Sequence, residues 1–118
     1  MKRYSLLFCM LICFFATAVK AQTGKPGDEP KVIVDNAKMK VVEYDSMPGQ
    51  GVCGRGKHSH VAHLTVLLTE ATVTITGPDG KTKVRKTPAG ASFWSDATTH
   101  VAINSGGKRL RVLLVFNK

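Results

Sequence analysis

Three of the four histidines in this chain fall close together, in Lys57-His58-Ser59-His60-Val61-Ala62-His63, and the fourth, His100, precedes the apolar run Val101-Ala102-Ile103. Imidazole offers a neutral nitrogen ligand near neutral pH, and residues spaced i, i+2 on a strand point to the same side. His58 and His60 meet that spacing, so the chemistry this pattern suggests is metal binding. The glycine-rich approach Met47-Pro48-Gly49-Gln50-Gly51-Val52-Cys53-Gly54-Arg55-Gly56 has neither the glycine spacing nor the following helix of a phosphate-binding loop. It reads instead as the turn that delivers the chain into the His58 strand.

The elements that must hold these residues read as strands. Lys31–Asp35, Met39–Tyr44, His63–Leu68, Thr72–Thr76, Thr82–Thr87, Ser92–Trp94, His100–Ile103 and Leu110–Phe116 are short, rich in valine, isoleucine, threonine or leucine, and bounded by turn residues. Several alternate with period two, and amphipathic helical spacing is missing after residue 22, so the fold class is all-β, a sandwich or barrel of about eight strands. Gly77-Pro78-Asp79-Gly80 predicts a hairpin turn between two of them. Leu64–Leu68 and Val112–Phe116 are apolar on both faces and should be central, whereas the lysine-alternating strands should be outer, in two facing sheets closed enough to hide their edges.

The opening Met1-Lys2-Arg3, the apolar run Leu6–Val19 and Val19-Lys20-Ala21 predict a secretory signal peptide over residues 1–21. A flexible lead-in follows over residues 22–30, then one domain over 31–118, and the localisation expected is secreted or periplasmic. The run is short of the roughly 20 residues that span a bilayer, so no stable membrane association is expected after cleavage. With 17 Lys and Arg against 8 Asp and Glu the chain is basic, but no aromatic residues interleave with the charges as stacking platforms would. Solvated strand faces, rather than a nucleic-acid surface, account for that charge. Cys53 is the single cysteine after residue 21, which excludes a disulfide-stapled scaffold. Three readings stay open for it: a small buried apolar residue, a pairing site for a dimer, or a thiol folded back to the histidines.

Laid out this way, the sequence resembles the cupin superfamily of small jelly-roll barrels, and within it the single-domain cupins labelled β-alanine degradation proteins. The resemblance is carried by Gly51, His58-Ser59-His60, His63, Pro78-Asp79-Gly80-Lys81, Pro88-Ala89-Gly90, Trp94, His100 and Asn104. It implies a single-domain jelly-roll barrel of about eight or more antiparallel strands in which His58, His60 and His100 hold one divalent metal ion, the choice among iron, manganese, nickel, copper and zinc being open. The family's glutamate ligand has no match. Counting back from Leu67-Leu68, its slot falls on His63, the implied fourth ligand, although residue 63 has the opposite strand parity from 58 and 60 and needs a bulge or irregular turn at Val61-Ala62. Phe93 and Trp94 are implied as pocket-lining residues, and Asn104 as a hydrogen-bonding residue rather than a ligand. The implied partners are a small polar organic molecule and a second copy of the chain in a homodimer. Metal-dependent non-haem oxygenase chemistry and non-catalytic binding are both compatible with such a site. Glu70, Asp79 and Asp96 are the acidic residues nearest the motifs, and none stands out as a second catalytic group.

Overall fold

The computed structural model describes residues 29–118. The expected signal peptide over residues 1–21 and nearly all of the lead-in over 22–30 lie outside the described residues. Nine antiparallel strands follow, β1 (Lys31–Asp35), β2 (Met39–Ser46), β3 (His58–His60), β4 (His63–Leu67), β5 (Ala71–Thr76), β6 (Thr82–Thr87), β7 (Ser92–Ser95), β8 (Thr98–Asn104) and β9 (Leu110–Asn117). All eight expected segments are present with ends that shift by at most two residues, the one around His100 starting at Thr98, and β3 is the ninth.

The strands form a five-stranded sheet in the order β1-β2-β9-β4-β7 and a four-stranded sheet in the order β3-β8-β5-β6. As expected, the doubly apolar β9 is central and β4 lies inside its sheet, between β9 and β7, while β6, which carries Lys83, Arg85 and Lys86, is an exposed edge. The turn at Gly77–Gly80 joins β5 to β6, with Gly80 at φ 77°. The core lies between the sheets, where Val42, Leu67, Ala71, Ala102, Leu110, Val112 and Leu114 are buried. One expectation is corrected. The two sheets are not closed into a barrel, because among the described residues no ladder joins β6 or β7 to the facing sheet. β6 is exposed along nearly its whole length, which offers little apolar area to draw it onto the opposite sheet.

Several cations are paired on the wet faces, Arg111 with Glu43, Arg109 with Asp45, Lys108 with Glu70 and Lys118 with Asp35. Apart from Arg111–Glu43, whose carboxylate is largely covered, pairs this exposed add little stability.

Candidate metal centre

The site grows from the edge of the four-stranded sheet. β3 pairs with β8 so that His58 faces His100 across the ladder, and His60, two residues on, projects from the same side of β3 as His58. Their rings pack edge to face, with centroids 4.7 Å apart for His58 and His60 and 4.8 Å for His58 and His100.

The glycine-rich segment supplies the next side chain. Gly49–Val52 runs beside β8 on the same edge as β3. The Val52 N–H donates to the Ala102 carbonyl at 2.9 Å, and the Asn104 N–H donates to the Gln50 carbonyl at 2.9 Å. The chain then folds back, and the Gly54 carbonyl comes so close to Gly51 that a Cβ there would lie 2.0 Å from it. That turn puts the Cys53 Sγ 3.3 Å from His58 Nε2 and 3.5 Å from His100 Nε2. Among the described residues, Cys53, His58, His60 and His100 each offer a ligand atom within 4.8 Å of all the others. Two of the three readings open for Cys53 meet here, since the thiol folds back to the histidines and also packs into the hydrophobic core. The thiol is buried as well, and burial pushes its pKa up to about 12.

The electrostatics suit a cation. His58 Nδ1 lies 2.8 Å from the Gly56 carbonyl, which can only accept, so Nδ1 carries the proton and Nε2 presents its lone pair. His60 Nε2 is buried without a hydrogen-bond partner. Such an orphaned polar atom is costly unless something fills it. Burial, followed by the neighbouring imidazoles of His58, His63 and His100, lowers the His60 pKa to about 4. The His100 pKa is also lowered, first by burial and then by His58 and His63. The residues present therefore fit a divalent ion, because neutral nitrogens converge on a place where protons are disfavoured.

This arrangement predicts an acid-sensitive metal-free fold. His60 binds its proton near 6.5 when unfolded but near 4 when folded, so the unfolded chain holds more protons in between and stability falls as pH drops through that window. The stability is fully present above 6.5, and the loss is complete below about 4. The acids with depressed pKa, Asp35, Asp45 and Glu70, titrate below their ordinary values of 3.8 to 4.5 and do not account for that window. Thermal melts of metal-free protein between pH 7 and 4 should show a declining midpoint, and His60→Gln should flatten the decline. An equal slope in the variant would sink the assignment.

His63 lies on β4, in the other sheet. The chain leaves strand geometry at Val61-Ala62, where the irregular turn required by strand parity is present, and His63 is only 3 % exposed. Its ring lies 5.4 Å from that of His60 and packs on Phe116, and its Nδ1 donates to the Val61 carbonyl at 2.7 Å. It borders the cluster without belonging to the group of four.

A cavity of about 600 Å³ between the sheets reaches Cys53, His63 and His100. Phe93 faces it from β7, opposite Thr65, with the Arg85 guanidinium 3.7 Å above the ring. Trp94 borders the same cavity but, one residue on, belongs to the other face of β7 and is 56 % exposed, with Nε1 donating to Asp96. Asn104 is a hydrogen-bonding residue, with Nδ2 donating to the Ser46 and Lys108 carbonyls. The acids nearest the motifs are engaged elsewhere, Glu70 with Lys108, Asp79 with the Lys81 N–H in its turn, and Asp96 with Trp94. Cys53, which sequence reasoning kept outside the ligand set as one of three open readings, is the fourth member of the group. The signal that could have found it is Gly51 and Gly54 bracketing it, five positions ahead of His58.

No family model matches the chain. It is 32 % identical over 83 residues to the beta-alanine degradation protein BauB of Pseudomonas aeruginosa, covering 70 % of this chain and 85 % of that one. A cupin domain from Bordetella pertussis Tohama I superposes with a TM-score of 0.69 at 25 % identity, over 80 % of this chain and 97 % of that one. An RmlC-like cupin with a double-stranded β-helix fold from Methanocaldococcus jannaschii superposes with a TM-score of 0.60 at 11 % identity, over 83 % and 86 % of the two chains. The first relative and the shared double-sheet fold together make this chain a member of the cupin superfamily.

Proposed function

We propose that the protein is a secreted or periplasmic cupin that holds one divalent metal ion on His58, His60 and His100 and takes a small polar organic molecule into the adjoining cavity. The observation that carries this reading is the convergence of the three imidazoles beside that cavity, with His60 Nε2 buried and partnerless. A bound ion would supply Lewis acidity or, if redox-active, a site for oxygen chemistry. The protein's part is to orient the imidazoles, as Gly56 does through the His58 Nδ1–H, and to wall the cavity with apolar groups such as Val73, Phe93 and Leu114. A metal-dependent oxygenase is the enzymatic form of this proposal. A non-catalytic binding module is the second reading, favoured by the engagement of Glu70, Asp79 and Asp96 away from the cluster.

The test is elemental analysis of untagged protein beside a His58→Ala/His60→Ala double variant. About one metal equivalent in the parent and a loss of at least ~100-fold in affinity in the variant are expected, since two of the imidazole ligands are removed. His63→Gln should cost ~10-fold at most, the low end of the range for outer partners, because His63 borders the group of four without a hydrogen bond to any of them. Metal absent from the parent after reconstitution would overturn the reading. Oxygen uptake with small acids or thiols would then separate the enzyme from the binding module.

A further inference from the structure

We infer that Cys53 is a metal ligand, so that the centre is a mixed imidazole–thiolate site rather than an all-nitrogen one. The inference rests on the reading that the cluster holds a metal, and it goes further by assigning the sulfur and the class of ion that sulfur selects.

Hydrogen bonding alone does not account for the cluster. A thiol has one proton to donate, yet the Cys53 Sγ stands within reach of two ring nitrogens, His58 Nε2 at 3.3 Å and His100 Nε2 at 3.5 Å. His58 Nε2 needs a donor, because its own proton is committed at Nδ1 to the Gly56 carbonyl. His60 Nε2 is a third nitrogen at the cluster, buried and without any partner. Even if the S–H donates to His58 Nε2 and His100 Nε2 donates to the sulfur, His60 Nε2 is left with nothing, whereas one cation among the four ligand atoms engages all of them.

The backbone is shaped to hold the sulfur there. A Cβ on Gly51 would collide with the Gly54 carbonyl, and one on Gly54 would lie 3.0 Å from the His58 ring. Gly51 is thus required by close backbone approach, while Gly54 is favoured by its φ of 149° and by its tight contact with the His58 ring. The exchange of ligand type has a chemical consequence. Three neutral imidazoles leave the charge of a divalent ion uncompensated, while a thiolate removes one unit of it and binds soft or borderline ions preferentially. On binding, the Cys53 S–H bond gives way to an S–metal bond and its proton passes to solvent, with no redox change. Zinc, cobalt, nickel and copper are therefore favoured over manganese and magnesium.

Cobalt(II) reports the sulfur directly, through a near-ultraviolet sulfur-to-cobalt charge-transfer band that all-nitrogen sites lack. The full chain is titrated anaerobically with cobalt(II), beside Cys9→Ser/Cys13→Ser, in which Cys53 is the remaining thiol, and beside Cys53→Ser. The band should appear in the parent and the double variant and vanish in Cys53→Ser. Stoichiometric cobalt without the band in the parent or in the double variant would overturn the thiolate assignment and leave the histidine site standing. A band that persists in Cys53→Ser would do the same. No cobalt binding by the parent would overturn the metal reading and this inference with it. Because the double variant keeps Cys53, its spectrum decides the matter even if Cys53→Ser fails to fold.

Discussion

Asn104→Ala should cost about 3–5 kcal/mol of folding stability, since each buried polar group left without a partner costs about 1–3 kcal/mol. Asn104 is 1 % exposed and ties three stretches of chain together. Its Nδ2 donates to the Ser46 carbonyl at 3.0 Å and to the Lys108 carbonyl at 2.9 Å, and its Oδ1 accepts from the Gly106 N–H at 3.1 Å. Alanine would strand the Ser46 and Lys108 carbonyls near the end of the core that also contains Leu110, while the Gly106 N–H would keep its second acceptor, the Thr72 carbonyl at 3.2 Å. Against a typical total of about 5–15 kcal/mol the loss is large. Asn104→Asp should be no milder, because it keeps the acceptor and turns a carboxylate oxygen toward two carbonyls. The comparison is Asn36→Ala, where an exposed Oδ1 accepts from the Lys38 and Met39 N–H groups and water can replace it. Urea denaturation should give Asn36→Ala a change of ~1 kcal/mol or less. Equal midpoints for the two alanine variants would refute the accounting.

The same residue shows where sequence reading reaches and where it stops. That Asn104 bonds rather than ligates follows from its type and place, but its three partners come from sequence-distant Ser46 and from a loop whose path nothing local dictates. The strands were legible because period-two alternation and turn residues are local signals, as in Thr72–Thr76 and Gly77–Gly80. The His58, His60 and His100 grouping was legible for a related reason, since strand parity fixes the first pair and the resemblance supplies the third. At His63 parity required a break at Val61-Ala62, and that break is present; it sends β3 and β4 to different sheets and lets residue 63 face the core, but beside the group of four rather than in it. The open edges at β6 and β7 could not be read either, because pairing depends on which strands meet and not on what each contains. Trp94 follows the same logic, as its register opposite Leu64 leaves it 56 % exposed although it borders the cavity.

Gly51→Ala should disable the centre without touching a ligand. The added methyl would sit 2.0 Å from the Gly54 carbonyl oxygen and 3.0 Å from its carbon, and backbone atoms cannot swing aside as a side-chain end can. The turn must open. Gly51 itself is anchored by its bridge to Ile103, with Val52 bonded to Ala102, so the part that yields is the Cys53–Gly56 return. That return carries the Cys53 sulfur and the Gly56 carbonyl that sets the His58 tautomer. Overpacking of this kind typically costs about 1–3 kcal/mol, so the domain should still fold while the site loses its alignment. Metal affinity should fall by ~10–100-fold, the range seen when outer support of a ligand is removed, and Cys53 should react faster with iodoacetamide in the metal-free protein. Gly107→Ala is the control, since its added methyl meets nothing within 4 Å and its backbone is not in the left-handed region. Wild-type metal affinity and thiol protection in Gly51→Ala would show that the fold-back does not position Cys53, and the centre would then have to be understood from β3 and β8 alone.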